Sequence, residues 1–344
     1  MTSEQMQPGD LCLVTGGSGF LASWIEKYLL EGGYKVRGTV RSLQDKKLET
    51  LRDLLPGVEF VEADLREERG WTSAVEGCKW VFHVATPQAT KSEKNRTRGA
   101  LSGTKHVMAA ALASNTVKKI VVTSSEAAIA YGHPRSKSDF SEDDWSIGVD
   151  KFEDYMQSKT VAEKKAWEMA NDTSQNPQNI ALSTINPSLV LGPTLVPWSR
   201  FSLSMIQDIA EGRIPLLPNM SLHVVDVRDC ARMHIAIMHD RSTDGHRHLS
   251  FAASGKFVDL AIAIRTDYAD RGFKPSTSVA PWWVLWLPSF FSKDVATIYS
   301  RIGNFQPYRT KYPEVYKYEF TSFRDIVRAS MDSILEHKWI NPKV

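Results

Sequence analysis

Tyr155 and Lys159 are the two residues whose types and spacing most clearly suggest chemistry. They lie in DYMQSKTVAEKKAWEMA, residues 154–170, a pattern typical of a helix, and positions four apart share one face of a helix. A Tyr hydroxyl can give a proton to a carbonyl oxygen, although its ordinary pKa of about 10 is high for neutral pH. A neighbouring ammonium favours the phenolate and lowers that pKa. The pair fits proton transfer, but the same spacing also occurs by chance on solvated helices.

Ser124 and Ser125 supply a group that could hold the carbonyl oxygen. They follow the apolar run that begins KKIVVTSSEAA, residues 118–128, which is typical of a buried strand. A Ser hydroxyl at a strand end can hydrogen-bond the oxygen and stabilise the charge that develops on it. Because reduction of a carbonyl also needs a hydride on carbon, this chemistry requires a cofactor site.

A dinucleotide site is indicated by the N-terminal stretch of the chain. LCLVT at 11–15 predicts a buried parallel strand, GGSGFLA follows directly, and the next stretches predict a helix and a second strand at 34–41. Gly16 permits a tight turn, and Gly19 permits close approach of the backbone to a pyrophosphate at the helix N-terminus. Ala22 is the third small position, so the spacing is GxxGxxA rather than GxGxxG.

The end of the second predicted strand indicates which dinucleotide is bound. An NAD site usually has Asp or Glu there to hold the ribose 2′-hydroxyl, whereas this sequence has Arg41. A guanidinium binds a 2′-phosphate well, so NADP is preferred over NAD. Lys47 could help, and Lys46 is interpreted as a solvated residue. Asp64, at the end of the third predicted strand, could accept a hydrogen bond from the adenine amino group.

The rest of the first half alternates strands and helices. Further strands are predicted at 58–65, 80–87 and 118–128, with a helix at about 97–114. This alternation predicts an α/β fold, a parallel sheet with helices on both faces. Ligands of such sheets lie beyond the carboxyl ends of the strands, where the polar residues described above occur.

The chain is expected to divide into two parts. Residues 1–180 should form the dinucleotide-binding domain, to which some later segments return. Residues 181–344 should form mainly a smaller, C-terminal substrate lobe. A helix predicted at 321–340 should pack at the end of that lobe.

Composition and charge argue against several classes of protein. With 42% hydrophobic and 24% charged residues and a net charge of +2, the chain is typical of a soluble globular protein and lacks the basic stripe of a nucleic-acid binder. Three widely spaced cysteines argue against a disulfide framework or a zinc site and favour a reducing compartment. The polar start MTSEQMQPGD has no secretory signal, so we expect a cytoplasmic protein.

PWWVLWLPSFF, residues 281–291, is the most apolar late stretch. It is too short to span a bilayer, so no membrane span is expected. A packed loop or short helix is the preferred interpretation, and a surface patch is the alternative. Among the histidines, His83 is expected in the core or beside the site, and His246 and His248 are expected at the surface.

Several motifs together resemble one enzyme family, the extended short-chain dehydrogenase/reductases. More narrowly, the chain resembles the group of dihydroflavonol 4-reductase, cinnamoyl-CoA reductase and NADPH-dependent carbonyl reductases. The resemblance covers about residues 10–240 and implies a Rossmann-type doubly wound parallel sheet. The matching stretches are TGGSGFLA at 15–22, HVATP at 83–87, VVTSS at 121–125, EDDW at 142–145, YMQSK at 155–159, INPSLVLGP at 185–193 and VVDVRDCARMH at 224–234.

The resemblance implies roles for individual residues. Tyr155 would be the general acid, Lys159 its partner, and Ser125 the residue that holds the carbonyl oxygen. Ser124 is the alternative, because adjacent strand residues point to opposite faces. The residues implied in NADP(H) binding are Thr15, Gly16, Gly19, Phe20, Leu21, Arg41, Lys47, Asp64, Leu65, Val84, Ala85, Thr86, Tyr155, Lys159, Pro187 and Val190.

The sequence departs from the family pattern in two ways. His106 stands where the family usually has Asn, which puts the fine hydrogen bonding of the site in doubt. The stretches 194–222 and about 270–315 diverge from the plant enzymes, so no flavonoid or phenylpropanoid substrate is carried over. Their aromatic and apolar residues indicate a small, hydrophobic carbonyl substrate, although each could equally belong to the core. They are Trp198, Phe201, Met205, Trp282, Trp283 and Trp286.

Three functions remain open from the sequence. The preferred one is NADPH-dependent reduction of an aldehyde or ketone. A 3β-hydroxysteroid-type dehydrogenase or a sugar-nucleotide epimerase would use the same fold. An NADP sensor without turnover is the third, and is disfavoured because Tyr155 and Lys159 are both present. A homodimer is possible, without a feature that demonstrates one.

Overall fold

The main sheet is parallel and has seven strands. A computed structural model describes residues 4–87, 96–134, 136–137, 139–313 and 319–342. The strands of both sheets in the described residues are β1 Leu11–Val14, β2 Lys35–Val40, β3 Val58–Glu62, β4 Trp80–His83, β5 Lys119–Thr123, β6 Ala181–Pro187, β7 Leu189–Leu191, β8 Ser221–Asp226, β9 Arg247–Ser250 and β10 Ala253–Lys256. The order in the main sheet is β3-β2-β1-β4-β5-β6-β9, and all neighbours run parallel. The predicted doubly wound parallel sheet is therefore confirmed.

Helices cover both faces of this sheet. The described residues form the helices α1 Phe20–Glu31, α2 Lys47–Leu54, α3 Trp71–Val75, α4 Arg96–Leu112, α5 Asp154–Asn171, α6 Phe201–Ala210, α7 Val227–His239, α8 Phe257–Tyr268, α9 Trp282–Trp286, α10 Lys293–Arg301 and α11 Phe323–Glu336, and only some of them pack on this sheet. One apolar cluster joins α1 and α7 to the sheet, and another joins α4 and α5 to its opposite face.

The central strands are apolar on both faces, which explains why they form the middle of the sheet. Along β4, Trp80 and Phe82 belong to the cluster with α1 and α7, and Val81 belongs to the cluster with α4 and α5. Along β5, Val121 belongs to the cluster with α1 and α7, and Ile120 belongs to the cluster with α4 and α5. Side chains alternate between the faces of a strand, so only a nearly continuous apolar run can be buried on both sides.

A second, three-stranded sheet of order β10-β8-β7 lies with α6, α8 and α11 in the later part of the chain. Its strand β8 pairs in parallel with β7 and antiparallel with β10. The helix predicted at 321–340 corresponds to α11, whose Ile326 and Met331 lie in the apolar cluster of this sheet.

The aromatic stretch 281–291 differs from its preferred interpretation. It forms α9 and a following short turn of 3₁₀ helix, as predicted for a short helix. Several of its side chains are exposed, however: Trp282 is 58% exposed, Trp283 61% and Phe291 84%. In the part of the chain that the structure describes, no helix combines the length and apolarity that crossing a membrane requires.

His248 also differs from its prediction as a surface residue. It lies on β9 and is fully buried, because β9 is the edge strand that pairs with β6 and is covered by other elements. Burial lowers the pKa of the His248 ring to about 4, which keeps it neutral. His246, two residues earlier, is exposed as expected.

Glu26 is a buried carboxyl group on α1 whose two oxygens have no hydrogen-bond partner. It packs against β2 so closely that a Cβ atom on Gly38 would lie 2.4 Å from its Oε1. Burial raises the pKa of Glu26 well above its ordinary value of 4.5. The folded chain therefore retains a proton that the unfolded chain loses above pH 4.5.

We expect Glu26→Leu to stabilise the protein more at pH 8 than at pH 5. Below pH 4.5 folded and unfolded chains are both protonated at Glu26, and the stability of the wild type declines as the pH rises above this value. The gain at pH 8 should be about 1–3 kcal/mol, the cost of burying an unpaired polar group. Thermal unfolding of both proteins at the two pH values measures it. The exposed Glu31→Gln is the control, and an equal gain at both pH values would contradict the assignment.

Candidate active site

The loop after β1 has the shape of a phosphate-binding turn. Gly16 has φ of +74°, and a Cβ atom there would lie 3.0 Å from the Cβ of Ala85, so only glycine fits this close approach. The Gly16 N–H donates to Thr39 Oγ1 at 3.0 Å. Gly19 is the N-cap of α1 and provides no side-chain cap, and Phe20 and Leu21 begin the helix. The uncapped helix N-terminus and the cradle fit a dinucleotide pyrophosphate.

Thr15 connects the ends of β1 and β4. Its Oγ1 accepts from the backbone N–H of Val84 at 3.0 Å and of Ala85 at 2.9 Å, and lies 3.0 Å from His83 Nδ1. Burial lowers the pKa of His83 to about 3, so the ring is neutral. The segment that leads to Thr86 is thereby held at the carboxyl edge of the sheet, and His83 is the buried supporting histidine that was expected.

At the adenosine end, Arg41 follows β2 and is exposed. Its charge contributes to lowering the pKa of Asp64, so the two residues lie near each other. The Asp64 carboxylate already accepts from the guanidinium of Arg66, with Nη2 to Oδ2 at 2.5 Å, and this ion pair is the leading cause of the lowered pKa. The proposed hydrogen bond from adenine to Asp64 would therefore share a carboxylate that is already engaged.

Trp198 lies on the cofactor side of the molecule. Its Nε1 donates to the carbonyl oxygen of Ser18 in the glycine loop at 2.9 Å. The Lys47 ammonium lies 5.5 Å from the centre of its ring. The sequence associated Trp198 with a substrate lid, whereas the fold brings this later segment back onto the nucleotide loop. Lys47 thus lies beside the tryptophan that contacts the glycine loop.

The candidate catalytic side chains meet at the end of β5. The Tyr155 hydroxyl donates to Ser125 Oγ at 3.4 Å, and Ser125 Oγ also accepts from the N–H of Ala127 at 3.1 Å. Ser124 Oγ points elsewhere and donates to Glu163. The alternation of neighbouring strand residues thus brings Ser125, and not Ser124, to Tyr155.

Lys159 lies one helical turn from Tyr155 and is buried. Its Nζ donates to Thr86 Oγ1 at 2.9 Å and to the carbonyl oxygen of Thr123 at 3.2 Å. Burial lowers the pKa of Lys159 to about 8. These bonds fix the ammonium beside the segment that would meet the nicotinamide ribose.

The pKa of Tyr155 differs from the sequence-based expectation. Burial raises it above its ordinary value of 10.0, and the hydrogen bond with Ser125 is the first cause that opposes this rise. Arg96, rather than Lys159, is the cation among the leading contributions that lower it. The Lys159 Nζ donates to Thr86 and Thr123 rather than to the phenol oxygen in this arrangement.

Arg96 was missed by the sequence reasoning. It begins α4, and its guanidinium carbon lies 5.6 Å from the centre of the Tyr155 ring. Its Nη1 pairs with Glu153 at 3.1 Å, and its backbone N–H donates to Asp154 Oδ2 at 2.7 Å. No local motif signals this arrangement, since it depends on how α4 docks on α5. Positive charge thus reaches the face of the phenol from a different helix.

The remaining residues occupy the edges of the same region. His106 bonds through Nδ1 to the carbonyl oxygen of Leu65 at 3.0 Å, so it supports the end of β3 rather than the serine and tyrosine. Leu65 is buried and lines a small cavity with Thr86 and Lys159. Pro187 is buried at the end of β6, and Val190 is half-buried in β7.

Comparison with known proteins identifies the family. The pattern of the NAD dependent epimerase/dehydratase family matches residues 12–250. The chain belongs to this family. It is 35% identical over 272 residues to cinnamoyl-CoA reductase CAD2 of Medicago truncatula, covering 76% of this chain and 81% of that protein. The predicted membership of the extended short-chain dehydrogenase/reductases is therefore confirmed, and the chain is an NAD(P)-dependent oxidoreductase.

Solved structures share the fold over nearly the whole chain. Vestitone reductase from alfalfa has a TM-score of 0.74 and 25% identity, covering 96% of this chain and 99% of that one. The yeast methylglyoxal/isovaleraldehyde reductase Gre2, solved in complex with NADPH, has a TM-score of 0.76 and 23% identity, covering 96% and 99%. These matches confirm the Rossmann-type fold.

Proposed function

We propose that this protein reduces an aldehyde or ketone to an alcohol with NADPH. The observation that carries the proposal is the contact of the Tyr155 hydroxyl with Ser125 Oγ at 3.4 Å, beside the buried ammonium of Lys159. A substrate carbonyl oxygen between the two hydroxyls would meet a proton donor and a hydrogen-bond donor together. When bound, the reduced nicotinamide supplies the hydride.

Each side chain has a separate task in this proposal. Tyr155 gives its proton to the carbonyl oxygen, and its raised pKa keeps it protonated and ready to donate at neutral pH. Ser125 hydrogen-bonds that oxygen and is itself oriented by the N–H of Ala127. Lys159 holds the nicotinamide ribose, and Arg96 and Lys159 place positive charge near the phenolate that Tyr155 becomes.

The preference for NADPH rests on Arg41. This residue follows β2, which pairs in parallel with β1 before the glycine loop, and its side chain is exposed. A planar guanidinium suits a phosphate in two-point hydrogen bonding. The structural relative Gre2 was solved with NADPH, which agrees with this choice.

The substrate is proposed to be a small, hydrophobic carbonyl compound bound mainly by residues 181–344. The relatives are named as reductases of cinnamoyl-CoA and of vestitone, which indicates aromatic substrates in this group. In this chain Trp282, Trp283 and Phe201 are exposed and Trp198 faces the glycine loop, so the aromatic residues do not by themselves define a pocket.

Cofactor oxidation tests the proposal. We expect turnover with NADPH, and much less with NADH, on at least one member of a panel of aromatic aldehydes, aryl ketones, 2-oxo esters, a dihydroflavonol and a 3-ketosteroid. Absorbance of the reduced nicotinamide follows the reaction. NAD-dependent oxidation of a 3β-hydroxysteroid, or tightly retained NAD with sugar-nucleotide epimerisation, would contradict it in favour of the other enzymes. NADPH binding without turnover on any panel member would favour a sensor.

A further inference from the structure

Glu163 is a buried carboxylate on α5, one turn beyond Lys159. Its side chain is fully buried, and its partner Arg247 on β9 is only 9% exposed. Arg247 donates through Nε to Glu163 Oε1 at 2.6 Å and through Nη2 to Oε2 at 3.2 Å. Four further side chains donate to the same carboxylate, Ser124, Trp167, Thr184 and Asn186. So dense a set of donors compensates the cost of burying a charge.

This carboxylate holds the end of β5 from behind. Ser124 Oγ donates directly to it. Asn186 Nδ2 donates to Glu163 Oε2 at 2.7 Å and also lies 3.2 Å from the carbonyl oxygen of Ser125. Both serines are therefore anchored to Glu163, one through its side chain and the other through its backbone. The anchoring leaves Ser125 Oγ free to face Tyr155.

The same carboxylate acts on Lys159 through its charge. Both residues line a cavity of about 20 Å³, roughly the space of one water molecule. Burial lowers the pKa of Lys159, and the charge of Arg96 on α4 lowers it further, whereas the negative charge of Glu163 raises it. His83 of β4 also faces Lys159 but is neutral, and Tyr155 is a further titratable residue one turn earlier on α5. Glu163 is thus the negative charge that favours the ammonium in this environment.

Arg247 in turn is fixed by the EDDW motif. Its Nη1 donates to the carbonyl oxygens of Glu142 at 2.8 Å and Asp144 at 2.5 Å. Its guanidinium carbon lies 3.7 Å from the centre of the Trp145 ring. The motif therefore orients the guanidinium of Arg247, and this guanidinium in turn orients Glu163. Residues 142–145 thus support α5 indirectly, through Arg247.

We propose that Glu163, oriented by Arg247, is a positioning residue that aligns the Ser124–Ser125 strand end and keeps Lys159 in its ammonium form. This role rests on the proposed reductase function. It predicts two separable effects: loss of alignment lowers kcat at every pH, and loss of the charge moves the alkaline limb of the pH profile.

Glu163→Gln tests the charge. Gln has nearly the same shape but no negative charge, so Lys159 should lose its proton more easily. The alkaline limb of kcat/KM for carbonyl reduction should then move to lower pH by about one unit, with a deficit at pH 8 that exceeds the deficit at pH 6 by about fivefold. Glu168→Gln, an exposed carboxylate on the same helix, is the matched control and should leave the profile unchanged.

Glu163→Asp separates charge from reach, and remains informative if the Gln variant does not fold. Asp retains the charge but is shorter, so kcat should fall about tenfold at every pH while the alkaline limb stays within about 0.3 units of wild type. An Asp variant with wild-type kcat would overturn the alignment role. A Gln variant that folds, binds NADPH and keeps the wild-type limb would overturn the charge role. A wild-type enzyme without any turnover would overturn the proposed function and this role together.

Discussion

Replacing Tyr155 with phenylalanine is expected to lower kcat for carbonyl reduction by a factor of about 10³, the usual size of a lost general acid. The ring keeps its packing and only the hydroxyl that donates to Ser125 is removed. NADPH binding should therefore stay within about twofold of wild type, since the glycine loop and Arg41 are untouched. Single-turnover rates with saturating NADPH, together with a titration of NADPH binding, measure both quantities.

Tyr131→Phe is the matched control for this prediction. Tyr131 is a neighbouring tyrosine that interacts with Tyr155, and burial raises the pKa of Tyr131 to about 12. Its backbone N–H, rather than its hydroxyl, makes the bond to Ser146 that fixes the loop. We expect a loss of less than about tenfold in this variant. If Tyr155→Phe kept near-normal kcat while Tyr131→Phe lost it, the proton donor would be Tyr131.

Arg41→Ala is expected to raise the Kd of NADPH by about 10–100-fold and that of NADH by less than about twofold. A charge-assisted hydrogen bond contributes about 1.5–3 kcal/mol, and each 1.4 kcal/mol corresponds to about tenfold in affinity. Only NADPH carries the 2′-phosphate that the guanidinium would bind, so the change should be confined to that cofactor. Parallel binding titrations with the two cofactors measure the ratio.

Lys46→Ala is the control for Arg41. Lys46 is an exposed cation that precedes α2, so its removal changes the net charge of the surface by the same amount. An exposed charge that makes no direct contact with the cofactor should alter NADPH affinity by less than about threefold at physiological salt. Equal weakening of NADPH and NADH in Arg41→Ala would remove the basis for preferring NADP.

Features carried by consecutive residues were predictable from the sequence. The turn from β1 to α1 depends on glycine at position 16 because φ is positive, and this requirement can be read from a glycine between a strand and a helix, whereas the close approach of Ala85 appears only in the fold. The juxtaposition of Tyr155 and Lys159 follows from helical periodicity, and the parallel sheet follows from the alternation of strand and helix patterns. Predicted strands were longer than observed, because the polar residues at their ends leave the ladder to form the site.

Features that depend on which distant segments meet were not predictable. His248 was predicted in a polar loop, but it lies on β9, which pairs with β6. Trp198 was predicted in a substrate lid, but it bonds to Ser18 of the glycine loop. The exposure of Trp282 and Trp283 likewise contradicts the expectation that a strongly apolar stretch is packed. Apolar composition favours burial only on average, and the surface of a folded protein contains much apolar area.

By itself the sequence determined the family, the dinucleotide loop and the Tyr–Lys pair, because each is written in residues that are neighbours along the chain or one helical turn apart. The tertiary structure decided how these groups are tuned. It turned Ser125 toward Tyr155 and Ser124 toward Glu163, and it brought Arg96 to the phenol and Arg247 to Glu163. Electrostatic interactions depend on distance and burial in space, and both are properties of the packed fold rather than of spacing along the chain.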